Sequence, residues 1–204
     1  MQNVFSICTR FPGKREIPMN KQNSTIMKLA ETALLAALCY VSFTFLQIKI
    51  PVPGGDATSL HIGNTFCVLG ALLLGGWYGG LAGSIGMTIA DLMDPVYITG
   101  APKTFVLKLC IGLITGLVAH KIAKINETND KKYVFKWSLI ASIAGLAFNV
   151  IADPIVGYFY KQYILGQPQE VASILAKLSA GATFVNAIVS TILVVIIYNA
   201  VRPA

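Results

Sequence analysis

Residues 178 to 201 carry no charged side chain, and neither do residues 57 to 90, where His61 is the nearest approach to one. Runs of this length constrain the fold more than any motif in the chain. In hydrocarbon every backbone N–H and C=O must be satisfied within the protein, so such segments become helices or closed barrels. A helical span needs about 20 mostly apolar residues. The composition agrees: of 204 residues, 55% are hydrophobic and only 12% charged, against about 25% charged in a soluble domain. The mean hydropathy is +0.67. The reading is an all-α integral membrane protein, a bundle of six transmembrane helices forming one domain at residues 28–204. Residues 1–27 read as a cytoplasmic, largely disordered tail.

The spans are placed by apolar runs and their breakers. The first covers about 29–48. Pro51, Pro53, Gly54 and Gly55 then enforce a loop. The uncharged run from Ala57 is too long for one helix. The stretch from Gly75 to Gly80 is read as its turn, giving spans at about 60–75 and 78–94. The fourth span, about 102–121, opens with Pro102, a good first-turn residue. The fifth covers about 136–160 and the sixth about 172–200. Six spans put both termini on one side. Eleven of the 16 Lys and Arg residues fall on that side. Lys49, Lys103, Lys108, Lys161 and Lys177 fall on the other. The positive-inside rule then puts both termini in the cytoplasm.

Against that background, Asp91, Lys108 and Asp153 stand out. A charge at the centre of a span costs roughly 2.5–3.5 kcal/mol on insertion scales, so it is kept with a partner or a purpose. The topology brings all three toward the outer side. Asn149 lies one helical turn from Asp153, on the same face. Asn186 follows Ser179 and Thr183 along the sixth span. Asp56, Ser59, His61 and Asn64 belong to the outer loop between spans one and two. One account is a structural ion pair between Lys108 and Asp91 or Asp153. The other is a polar solute site formed by Asp56, His61, Asn64, Asp91, Lys108, Asn149, Asp153 and Asn186. Buried amides recognise heterocycle edges well, and Tyr97, Tyr158 and Tyr160 are placed to stack on a flat ring.

Other chemistries lack support. Cys8, Cys39, Cys67 and Cys110 show no CxxC spacing and read as packing residues. No spacing marks a metal site or calls for a cofactor. His120 reads as an interfacial residue. Nucleophilic and metallopeptidase motifs are missing, so an enzyme is not expected. No Walker A sequence occurs, so ATP-driven work would need another chain. The basic residues lie beside apolar spans without a recognition motif, which argues against nucleic acid.

A family resemblance rests on four segments. They are Ala33 to Ala37, His61 to Asn64, Leu74 to Gly80 with Ala90, Asp91 and Leu92, and Pro102 to Phe105 with Lys108 and Gly112. Over roughly residues 28 to 200 the chain resembles the substrate-binding S components of energy-coupling factor (ECF) vitamin transporters. The likeness is to the branch that includes hydroxymethylpyrimidine and vitamin B6 importers, and it implies a bacterial plasma membrane. The resemblance implies capture of a small heterocyclic vitamin from outside. It further implies docking through Ala33 and Ala37 onto a transmembrane coupling protein, driven by two cytoplasmic ATPase subunits. The alternative is a stand-alone, ion-coupled secondary transporter of a small polar solute.

Overall fold

The computed structural model describes residues 21–52 and 56–202; most of the segment read as a tail lies outside them. Six helices dominate: α1 (Lys21–Phe45), α2 (Gly63–Leu74), α3 (Gly76–Met93), α4 (Ala101–Gly116), α5 (Lys131–Phe159) and α6 (Gln169–Val201). Four helical stretches are long and apolar enough to cross a membrane: Ser24–Phe45, Ile98–Ile122, Lys131–Ile164 and Gln169–Val201. At 12 residues, α2 is only about 18 Å long and cannot cross a hydrocarbon core of about 30 Å alone.

The sequence reading needs two corrections. First, the segment after α1 is not an irregular loop. It forms an antiparallel hairpin, β1 (Gln47–Val52) and β2 (Asp56–His61), in which Gln47 pairs with His61 and Val52 with Asp56. Ile48, Ile50 and Val52 alternate with polar or proline positions, the period of a strand. That local preference prevails over the nearby prolines. Second, the stretch Gly75 to Gly80 is mostly helix. Gly75 alone separates α2 from α3, with φ +100° and ψ 160°, a conformation that favours glycine. Helix α5 runs through Pro154 to Phe159, and π-helical residues Tyr160–Ile164 extend it. Proline has no N–H, so the Val150 carbonyl loses its helical partner at this point.

The other α3 glycines are packing surfaces. A Cβ on Gly79 would lie 2.0 Å from the Ala71 nitrogen, and one on Gly83 would lie 2.4 Å from Cys67 Sγ. A Cβ on Gly80 would meet the Leu109 carbonyl oxygen of α4 at 2.8 Å, and one on Gly86 the Ala36 carbonyl oxygen of α1 at 2.2 Å. Helix α3 therefore touches three neighbours at backbone distance, as small residues allow where lipid supplies no hydrophobic drive. Gly79→Ala is expected to destabilise the fold by about 3 kcal/mol, since neither backbone can retreat. Thermal unfolding in detergent would show it as a fall of about 2–4 °C per kcal/mol. Gly100→Ala, whose Cβ meets nothing within 4 Å, is the matched control.

Cys39 and Cys67 are fully buried free thiols, Cys110 is half-buried, and Cys8 lies outside the described residues. His120 bridges two elements. Its Nε2 donates to the Ala71 carbonyl at 2.9 Å, and the Asn126 amide donates to its Nδ1 at 3.2 Å. Arg202 closes the same end of the bundle, donating to the Ile125 and Thr128 carbonyls at 2.7 and 2.8 Å.

Candidate functional site

At the hairpin end of the bundle, a cavity of about 120 Å³ lies between the hairpin, α3, α4, α5 and α6. His61, Asp91, Lys108, Asp153 and Asn186 line it, as do Tyr97 and Tyr160. Five of the eight proposed site residues thus share one wall system. Asn64 and Asn149 do not line it. Both are 1% exposed, and each has a side-chain oxygen without a hydrogen-bond partner. Asp56 is placed by the backbone at the hairpin tip, paired with Val52. Tyr158 packs edge-on against Phe159, with ring centroids 5.4 Å apart, and is not a lining residue.

The charges pair differently from the expected arrangement. Lys103, one turn nearer the mouth than Lys108, donates to Asp153 at 2.9 Å. Ser179 of α6 donates to the other oxygen of the same carboxylate. Both oxygens of Asp153 are therefore engaged, from α4 on one side and α6 on the other. Lys108 forms no salt bridge among the described residues, although it is only 8% exposed. Asp91, 3% exposed, takes its hydrogen bond from Thr104. Of the two accounts above, the Lys108 ion pair is not formed; Lys103–Asp153 stands in its place. An ammonium buried without a carboxylate is costly, and a group that brings acceptor oxygens or nitrogens to it would offset that cost.

The apolar part of the wall combines aromatic rings with aliphatic side chains such as Leu107 and Leu175. The Phe43 ring of α1 stands edge-on to His61 at 4.7 Å and to Tyr97 at 5.9 Å. His61 Nδ1 accepts the Gly63 N–H at 3.2 Å, which leaves Nε2 to carry the proton of the neutral ring. Tyr160 donates to the Thr99 carbonyl at 2.9 Å. The whole forms a slot with aromatic edges, one unpaired cation and two carboxylates, suited to a flat polar heterocycle.

The cover is fixed at two places. Lys49 of β1 is paired with Asp94 at the end of α3, and its ammonium lies 5.4 Å from the Tyr97 ring centroid. On the other edge, Asn186 Oδ1 accepts the His61 N–H and its Nδ2 donates to the Ser59 carbonyl, both at 3.0 Å. The sequence reading missed Phe43, Lys49 and Thr104 as contributors. Phe43 and Thr104 carry no sequence signal, and Lys49 would have needed the strand period of β1.

The fold is similar to that of a solved structure, ThiT from Listeria monocytogenes. The TM-score is 0.63 at 18% identity, over 88% of this chain and 97% of that one. At that identity the likeness concerns the fold. No curated protein matches the chain. A family model, however, matches residues 23–203, nearly all of the described chain, and its description is ECF-type riboflavin transporter, S component. The protein is accordingly a member of the ECF-type riboflavin transporter S component family, a membrane transport subunit rather than an enzyme.

Proposed function

We propose that this protein captures riboflavin, or a closely related flavin, on the outer face of the membrane and hands it to an energised partner module. The observation that carries the reading is the cavity, a partly open slot with aromatic edges, with Lys108 in its wall outside any salt bridge among the described residues. A flavin ring offers carbonyl oxygens and a ring nitrogen to an ammonium, an N–H to a carboxylate, and a flat face to Phe43, Tyr97 or Tyr160. Lys108 and Asp91 would hold the ring edge. Asp153, already bound by Lys103 and Ser179, would organise the wall. Asn64 and Asn149 would contribute from beneath through ordered water, which their unpartnered oxygens could hold.

The topology belongs to the same proposal: six membrane passes, both termini cytoplasmic, and the hairpin outside as a lid. Ala33 and Ala37 are exposed on α1. Their neighbours Leu34 and Val41 are 64% and 43% exposed. The small-residue face therefore points away from the bundle, where it would seat a transmembrane coupling protein served by two ATPases.

One observation favours a smaller cargo. The cavity of about 120 Å³ is below the roughly 300–1,000 Å³ of drug-sized ligand sites. A single-ring ligand such as pyridoxine or hydroxymethylpyrimidine needs less movement of the hairpin than a tricyclic flavin does. The experiment separates the two. Riboflavin is titrated into the purified protein and its fluorescence followed, with pyridoxine and hydroxymethylpyrimidine as competitors. Quenching with sub-micromolar affinity, undisturbed by the competitors, supports the flavin. Displacement or binding by a single-ring compound alone would transfer the assignment to it. Uptake into liposomes by this chain alone, driven by an ion gradient, would overturn the partner-dependent reading.

A further inference from the structure

Asn186 sits in the middle of an apolar helix and is 3% exposed. A polar group there ordinarily serves its own helix or a ligand. Here both ends of the amide go to the backbone of another element. Oδ1 takes the His61 N–H and Nδ2 gives to the Ser59 carbonyl, each at 3.0 Å. Those two groups lie two residues apart along β2, and among the described residues β2 has only β1 as a strand neighbour. A carbonyl and an N–H two residues apart are what one residue of a parallel neighbouring strand would bind. The Asn186 side chain takes that residue's place and closes the open edge of the hairpin.

The location gives this contact its meaning. Ser59, His61 and Asn186 all line the cavity, so the amide ties the cover to the wall it closes against. The opposite tie, Lys49–Asp94, is between side chains 44% and 18% exposed, and exposed pairs contribute little. The two backbone bonds are buried, and breaking them strands a donor and an acceptor away from water.

We infer that Asn186 is a positioning residue that latches the hairpin over the cavity, and that it sets how long a bound ligand stays rather than recognising it. This rests on the cavity being the ligand site. Two arms keep the two ideas apart. In the first, hydrogen exchange of residues 56–61 is measured by mass spectrometry on the full-length, ligand-free protein in nanodiscs. Asn186→Leu is expected to speed exchange there by at least tenfold, the order given by loss of two buried hydrogen bonds. Lys49→Ala is expected to change it less than threefold. Asn186→Ser, smaller and still polar, serves if the leucine variant does not fold. In the second arm, riboflavin association and release are followed by stopped-flow fluorescence. Release is expected to rise at least tenfold, with association within threefold of the parent.

Unchanged exchange in both Asn186 variants would overturn the latch. Faster exchange with unchanged release would overturn its control of dwell time. Faster release without faster exchange would make Asn186 a ligand contact instead, also against the proposal. A parent protein that does not bind riboflavin would sink the flavin assignment, while the exchange arm would still decide the latch.

Discussion

Lys108→Met is expected to abolish tight ligand binding, weakening it at least a hundredfold, while leaving the ligand-free protein as stable as the parent or more so. The two halves of this expectation have one cause. Lys108 is 8% exposed and forms no salt bridge among the described residues, because Asp153 is taken by Lys103 and Ser179. Removing one partner of a buried ion pair is strongly destabilising, but Lys108 feels Asp153 and Asp91 only at longer range, so its loss forfeits a weaker attraction and removes a costly buried charge. Methionine keeps most of the stem's packing volume. A charge-assisted hydrogen bond to ligand is worth about 1.5–3 kcal/mol, and the ligand group left facing Met adds its own desolvation cost. Fluorescence titration gives the affinity, and a thermal melt with and without riboflavin gives the stability. Affinity within threefold of the parent would remove Lys108 from the site. A collapsed melting temperature would show that it holds the bundle together instead. Asp153→Asn should behave in the opposite way, lowering stability because it leaves the half-buried Lys103 without its anion.

The second large effect concerns transport without binding. Replacing both Ala33 and Ala37 with Trp is expected to eliminate vitamin uptake by cells that carry the coupling protein and ATPases. Riboflavin affinity of the purified variant should stay within twofold. Both alanines are exposed on α1, whereas Leu35, Ala36 and Cys39 face the core. Bulk added at positions 33 and 37 therefore enters lipid or a partner, not the bundle. Small residues let helices approach at backbone distance, and an indole at each position would hold the partner off. Normal uptake by the double variant would move the docking face elsewhere. Loss of both uptake and binding would show that the substitutions disturb the fold.

The apolar runs were legible because apolar length is a sequence property, although length marks only four helical stretches among the described residues as long enough to cross a membrane. The charged residues in those runs were legible for the same reason, since Asp91, Lys108 and Asp153 each break an apolar run. Their pairing was not, because it depends on the axial offset between α4 and α5. That offset is set where Gly145 packs on Thr115 and Ile111, and no single helix records it. Asn186 was conspicuous as an amide in an apolar helix, but its partner His61 lies 125 positions away. The hairpin was missed because Pro51, Pro53 and two glycines outweighed a short alternating pattern. The run Gly75 to Gly80 was read as a break by its composition. Close backbone contact with α2 and α4 makes Gly79 and Gly80 a helical seam instead.

Pro154 carries a last consequence. It lines the cavity beside Asp153, within a helix that lacks one internal rung at Val150. Bending at that joint sacrifices no main-chain bond. A kink there would cost less than one elsewhere in α5, and the Tyr160–Thr99 bond is what ties down the segment beyond it.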